Sequence, residues 1–294
     1  MNLQLNTRSY RADAVRDRSL NLLDYPEILS DISNFSTFER SISKVMYMKP
    51  SYLKEEVMEL LEKTSEGRFL LEREGNLSCA SIQEIDDYTK RASLAGILAG
   101  EELLIISDTL DTVENLKGVI STYEKECPNV YELTNKITNV SYLTYSIRSK
   151  LTPNGLVRDE ATPTLGLLRK QVRQAYDRVT NTLQRLIEVN QLTGIIQDDV
   201  ISVRNDRLVL QIKSNMRSKI PGVIHDVSNT HQTIFVEPFS TINLCNSWRE
   251  LILEEAREVE KVLKELSDSV GQESLNIRRN VDTAAELDLI LAKS

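Results

Sequence analysis

A chain of 294 residues with 40% hydrophobic and 27% charged side chains is too apolar for intrinsic disorder and long enough for two domains or one extended composite. Aromatics at 5%, with ten glycines and seven prolines, favour a mainly helical fold. A formal net charge of −8 argues against a protein that coats nucleic acid uniformly, and the widely separated Cys79, Cys127 and Cys245 suggest neither a disulfide framework nor a zinc site.

Residues 1–19 are polar and lack the apolar core of a signal peptide, so they read as a leader and the expected location is cytoplasmic. No run of 18 apolar residues exists, so no membrane span is expected. A helical core is expected over residues 20–160. Leu20 to Phe35 carries helical spacing with Asp24 as a candidate N-cap, Phe38 to Met48 reads as a second helix, and Leu53 to Arg73 as a third that Ser51 can cap. Ile82 to Ala95 and Glu101 to Cys127 follow, the latter ended by Pro128. Tyr131 to Lys150 holds one or two short helices, and Thr152-Pro153-Asn154-Gly155 is a turn.

Two long helices come next. The first occupies 161–197, with Leu165, Leu168, Val172, Ala175, Val179, Leu183 and Leu186 at steps of three and four, and ends at Gly194. About 32 residues at 1.5 Å each make it about 48 Å long. The second belongs to 239–294, with Trp248, Ile252, Ala256, Val259, Leu263, Leu266 and Val270 as its stripe, continuing toward the C-terminus. Two such stripes predict an antiparallel pair. Residues 198–238 change period: Val200–Val203 and Leu208–Ile212 flank a hairpin turn at Arg204–Arg207, and Val223-Ile224 and Thr233–Val236 form a second pair. A β-rich tip is expected at the end of a two-helix stalk, contributing little to the core.

The chemistry is sparse. There is no phosphate loop, no GxGxxG, no HExxH and no GxSxG, so no catalytic residue, metal ligand or cofactor site is assigned. His225, beside Asp226, has no nucleophile placed near it by sequence. It is better read, with Asp226 and Glu237, as a hydrogen-bonding tie within the tip. The charge distribution is more informative. Residues 161–220 carry 10 basic and 5 acidic side chains within an acidic protein. Arg204, Arg207, Lys213, Arg217 and Lys219 fall on the tip and are the candidate nucleic-acid contacts, because positive charge on a projecting arm is what phosphate binding needs. Arg169, Lys170, Arg173, Arg178 and Arg185 lie on the helix leading there, and they can instead pair with Glu250, Glu254, Glu255, Glu258 and Glu260 of the returning helix. The tip arginines and lysines have their own internal alternatives in Asp198, Asp199, Asp226 and Glu237.

The run from Asp198 to Pro238, DDVISVRNDRLVLQIKSNMRSKIPGVIHDVSNTHQTIFVEP, followed by Trp248-Arg249-Glu250-Leu251, resembles the clamp and returning lever helix of the second bacterial type of MutS-like protein. LNLLDYPEILSDISNFSTFERS (Leu20 to Ser41), the run from Thr64 to Leu110, VRDEATPTL (Val157 to Leu165) and the closing AAELDLILAKS resemble the same family in the same order, over nearly everything after residue 20. Two departures stand out: Asn229-Thr230-His231-Gln232 holds no glycine where the family's tip turn usually has one, and Phe38-Glu39 stand where glycine is frequent. The resemblance implies a mainly α core with long antiparallel lever helices and a β-rich clamp, the segment preceding an ATPase that binds ATP and Mg²⁺ and is often followed by an Smr nuclease domain. It further implies a homodimer engaging branched DNA in recombination control, or ribosomal RNA on collided ribosomes, with the present segment structural and not an enzyme. A protein-interaction or coiled-coil scaffold without nucleic-acid contact is the alternative.

Overall fold

The computed structural model describes residues 18–75, 77–189 and 196–294. The expectations for the leader through Asp17, for a helix end at Gly194 and for pairing by the Asp198 and Asp199 side chains lie outside what is described. The protein is mainly α with one small antiparallel sheet, as the periodicities predict. It divides into two compact units, one formed by the chain through Leu156 together with Lys264–Ser294, the other by Val157–Leu263.

The first unit contains α1 (Tyr25–Phe35), α2 (Glu39–Met46), α3 (Lys54–Glu74), α4 (Asp86–Ser93), α5 (Gly100–Ser121), α6 (Pro128–Asn135), α7 (Ser141–Lys150) and, from the end of the chain, α10 (Ser274–Lys293). Helix α10 touches each of α1 to α6. Its Ile277, Val281, Ala284, Ala285, Leu287, Ile290 and Leu291 are buried, a sector too wide for a surface helix, so α10 is the unit's axis. Two polar side chains on it tie down the surrounding chain. Asn280 exchanges 2.8 Å hydrogen bonds with the backbone N–H and C=O of Thr138. Buried Asp288 accepts from the Thr37 N–H at 2.8 Å and Oγ1–H at 2.7 Å, and from Ser41 Oγ. Glu66 of α3 accepts from the Val130 N–H at 2.8 Å and the Asn129 N–H at 3.2 Å. It thereby satisfies two of the free N–H groups that open α6 and places negative charge at the positive end of that helix.

Several local expectations are corrected. Asp24 sits in the left-handed region at φ 54° and makes no side-chain cap, so α1 opens on Pro26 at its first turn instead. The helix expected from Ile82 to Ala95 is only Asp86–Ser93. Ile82 and Ile85 are buried from the non-helical lead-in, and Ala95 turns left-handed at φ 61°. Pro128 does not end the preceding helix. That helix stops at Ser121, and Pro128 begins α6, where its missing N–H costs nothing. The expected turn at Thr152–Gly155 is present, closed by the Gly155 N–H on the Thr152 carbonyl at 3.0 Å with Gly155 at φ 79°.

The second unit holds α8 (Pro163–Val189), the four-stranded sheet and most of α9 (Ile242–Gln272), which is interrupted at Glu273 before α10. Helix α8, with 27 residues, is about 40 Å long. It runs antiparallel to α9: Thr162, just before α8, donates to Glu258 at 2.8 Å, Arg169 pairs with Glu255 at 2.9 Å, and the Tyr176 ring lies 5.7 Å from Trp248, so partners ascend on one strand of the pair as they descend on the other. Leu165, Leu168, Ala175, Val179 and Leu183 are buried along α8, and Cys245, Trp248 and Val262 along this part of α9. Ala256 is exposed, contrary to the predicted stripe. At that level α9 instead turns Glu255 toward Arg169. The sheet is also more than an appended tip: Leu208, Leu210, Ile212, Ile220, Ile234 and Val236 share one buried cluster with Ala175, Val179, Leu183, Cys245 and Trp248. The expectation that this region adds little to the core is therefore overturned, because its alternate strand residues cover the apolar faces of both helices.

Candidate nucleic-acid interface

The sheet runs β1 (Ile196–Arg204), β2 (Arg207–Lys213), β4 (Thr233–Pro238), β3 (Gly222–Val227) in spatial order, antiparallel throughout, which leaves β1 and β3 as edges. Asn205 and Asp206 form a two-residue hairpin loop with φ 49° and 59°, the left-handed pair a primed turn requires and which Asn and Asp tolerate best after glycine. At the other hairpin His231 takes the left-handed position at φ 56°. Its N–H reaches the Ser228 carbonyl at 2.8 Å and its carbonyl accepts from Ser214 Oγ at 2.5 Å. A register shift between Ile224 and Asp226 leaves His225 as the extra residue of a bulge. Its Nε2 lies 2.7 Å from Glu237 Oε2.

Glu237 is the polar centre of this region. Its side chain is 3% exposed, and its second oxygen accepts from Arg207 Nη1 at 3.2 Å. The same Arg207 nitrogen donates to Asn246 Oδ1 at 2.6 Å, which ties β2 to α9. The neighbouring Cys245 thiol is pushed up to about 11 by burial and by the Glu237 carboxylate, the opposite of what a nucleophile needs. Among the described residues no group of three or more His, Cys, Asp or Glu is placed to hold a metal ion.

The five candidate cations thus fall into two kinds. Arg207 is mostly buried, and its Nη1 is shared between Glu237 and Asn246. Arg204 is half exposed, lies 3.7 Å from Asp226 and covers the Phe235 ring at 4.5 Å. Lys213, Arg217 and Lys219 are exposed and have no acidic partner among the described residues. They are brought together by the 3₁₀ segment Ser214–Lys219 that leaves β2. On the leading helix, Arg169 is held by Asp159 and Glu255, and Arg173 lies 3.8 Å from Asp159.

Beside the 3₁₀ segment lies an open groove of about 590 Å³ lined by Asn215, Arg217, Ile220, Pro221, Ile224 and Phe239, among others. Gly222 forms part of its wall. A Cβ there would sit 2.3 Å from the Glu237 carbonyl, so only glycine lets β3 close onto β4. A smaller depression of about 340 Å³, lined by Lys213, Ser214, Asn215 and Gln232, adjoins it through Asn215. The sequence reading passes over Asn215 and Phe239. The one cue is an aromatic directly after Pro238, where the strand has ended and nothing requires an apolar residue.

No protein-family model matches the chain. Curated relatives do. Endonuclease MutS2 of Halalkalibacterium halodurans is 31% identical over 282 residues, 95% of this chain and 36% of that protein. Endonuclease MutS2 of Alkaliphilus oremlandii is 30% identical over 281 residues, 95% of this chain and 36% of its own length. Endonuclease MutS2 of Pelotomaculum thermopropionicum is 29% identical over 277 residues, 94% of this chain and 35% of its own.

The chain is MutS2-like.

The likeness covers both units, since a match of that breadth leaves room to omit neither. The MutS2-like chain spans about a third of the length of these relatives. No helix among its described residues is long and apolar enough to cross a membrane.

Proposed function

We propose that this chain is the core-and-clamp segment of a MutS-like, ATP-driven clamp protein, and that its sheet-bearing unit holds the phosphate backbone of a nucleic acid. The observation that carries the reading is the trio Lys213, Arg217 and Lys219, three exposed cations within seven residues in a protein of net charge −8, beside a groove with no acidic lining residue. Unpaired cations at the end of β2 and on the 3₁₀ segment that follows it neutralise phosphates without reading sequence. Arg204 stands at the opposite end of β2 from Lys213, beside the Asn205-Asp206 turn, and Arg207 holds the sheet together from within. The targets in this reading are branched DNA or the RNA of a collided ribosome, the partner a second copy of the chain, and the compartment the cytoplasm. ATP and Mg²⁺ belong to regions of the relatives beyond the matched third, and nuclease chemistry is likewise assigned there, so the present segment positions nucleic acid and does not cut it.

The test is a salt titration. Binding of a four-way DNA junction and of a structured RNA is measured from low to moderate salt for the parent and for the variant carrying Lys213→Gln, Arg217→Gln and Lys219→Gln. Each lost phosphate contact lowers the slope of log K against log salt by about 0.7–0.9. The variant is expected to fold as the parent does and to bind with a slope flatter by about two to three. An unchanged slope in a folded variant removes the nucleic-acid role from this surface and leaves a scaffold. A scaffold has one observation of its own: Phe35, Tyr47, Tyr52 and Leu53 of the first unit are each at least 65% exposed, an amount of apolar surface that suits a protein partner.

A further inference from the structure

We propose that the groove beside the 3₁₀ segment is a seat for an unpaired nucleobase, with Phe239 as its stacking platform and Arg217 and then Lys213 as successive phosphate contacts leading away from it. This rests on the phosphate-binding reading above and deepens it, since it names the form of nucleic acid the surface selects: a single-stranded stretch, not a closed duplex.

Three features of the site point to that ligand. Phe239 is 61% exposed at the end of β4, fixed from behind by its own N–H on the Pro221 carbonyl at 3.1 Å. A lone exposed aromatic is ordinary. One whose backbone is anchored and which lines a groove floored by Ile220, Pro221 and Val236 is a platform. The polar lining is cationic or neutral: Arg217, Asn215 and Ser218 line the groove, and Lys213 with Gln232 lines the adjoining depression. A ligand that fits must therefore be anionic and also present an apolar flat face. A nucleotide with an unpaired base does both, while a base in a duplex has its faces buried in the stack. Finally, Asn215 lines both depressions, so an extended strand running from one to the other passes Arg217 and Lys213 in turn. Asn215 is placed to hydrogen-bond a base edge or sugar at the crossing.

The shared chemistry of single-stranded DNA and RNA is tested with both. Fluorescently labelled oligo(dT), oligo(U) and a blunt DNA duplex of equal length are titrated with the full 294-residue chain, and with Phe239→Leu and Phe239→Tyr. Leucine keeps the apolar contact and abolishes stacking, and tyrosine keeps both, so the pair separates a base platform from a merely greasy rim. The expected result is tighter binding of an oligonucleotide than of the duplex by the parent, an approximately tenfold weakening for Phe239→Leu on the oligonucleotide alone, and near-parent affinity for Phe239→Tyr. Preference between oligo(dT) and oligo(U) assigns the source, and either supports the proposal. If Phe239→Leu binds the oligonucleotides as the parent does while duplex binding stays salt-dependent, the base seat is wrong and the phosphate surface stands. If the parent binds no probe in a salt-dependent way, both fall together. Matching circular dichroism melts of the three proteins establish that any loss is local.

Discussion

Arg207 on β2 and Glu237 on β4 meet at 3.2 Å with the carboxylate almost wholly shielded from water. The other carboxylate oxygen faces His225 from the bulge of β3, and Arg207 reaches on to Asn246 of α9. Three strands and a helix thus converge on one buried carboxylate, and the arginine that looks in sequence like a phosphate contact neutralises that carboxylate. Removing one member of such a pair strands the other, which costs about 3–5 kcal/mol. Arg207→Gln is expected to lower the melting temperature of the chain strongly. Where the variant remains folded, it should leave the salt slope of nucleic-acid binding unchanged. A stable Arg207→Gln protein with a flattened slope would show the guanidinium facing phosphate instead.

Helix α9 offers a matched pair of substitutions. Val262 is fully buried and Ala256, six residues earlier on the same helix, is exposed. Val262→Asp places an unpaired charge among apolar neighbours and should cost about 3 kcal/mol or more. Ala256→Asp should change stability by no more than about 0.5 kcal/mol. Val179→Asp, at a fully buried position on α8, is expected to behave like Val262→Asp. Urea denaturation of the three variants measures this, and equal costs at 256 and 262 would put α9 in the wrong rotation.

Helix periodicity and hairpin chemistry were legible without coordinates. The α8 residues Leu165, Leu168, Ala175, Val179 and Leu183 fall on one stripe of three- and four-residue steps and are all buried, and Asn205-Asp206 announces its own turn. What local pattern does not encode is partnership at a distance. Ala256 fits the apolar stripe by residue type, yet Glu255 is turned toward Arg169, and only the pairing of the two helices decides that. The same holds for the cations: Arg207 and Arg217 are alike in sequence, and the difference is that Glu237, thirty residues on, folds back onto one of them. Pro128 is ambiguous for a related reason, since a proline before a helix and a proline after one look identical until the neighbouring turn is known.

The three cysteines should be chemically silent in the native state. All are buried free thiols. Burial, reinforced by nearby carboxylates, pushes Cys127 and Cys245 up to about 11 and raises Cys79 further. A disulfide reagent at pH 8 is therefore expected to label none of them until denaturant is added. Because the folded-state values lie above the unfolded value, the folded chain holds these protons more tightly. That contribution to stability is complete below about pH 9 and is lost as pH rises through about 11. Thermal melts should fall across that window. Labelling of any one thiol in the native protein at the rate of a free cysteine would contradict its burial.

Asp288 permits the sharpest test of the first unit. It lies on the axial helix α10, is 2% exposed, and gathers Thr37 of the α1–α2 junction and Ser41 of α2 across about 250 residues of sequence. One oxygen accepts from the Thr37 N–H and from Ser41 Oγ, the other from Thr37 Oγ1. Asparagine keeps one acceptor for the backbone N–H, which has no alternative. Its amide can donate to Thr37 Oγ1, because a hydroxyl can rotate from donor to acceptor. Alanine leaves the Thr37 N–H and hydroxyl without the carboxylate, each unsatisfied group costing about 1–3 kcal/mol, and adds a cavity beside buried Cys79, while the Ser41 hydroxyl keeps the Phe38 carbonyl at 2.8 Å. Asp288→Ala is thus expected to lose about 3 kcal/mol or more, and Asp288→Asn about 1. Hydrogen exchange should show the loss at Thr37 and along α2 first, because these are the segments the carboxylate holds. Equal destabilisation by alanine and asparagine would mean that charge, not acceptor geometry, fastens this junction. Parent-like stability of the alanine variant would mean that α1 and α2 are held by their apolar contacts alone.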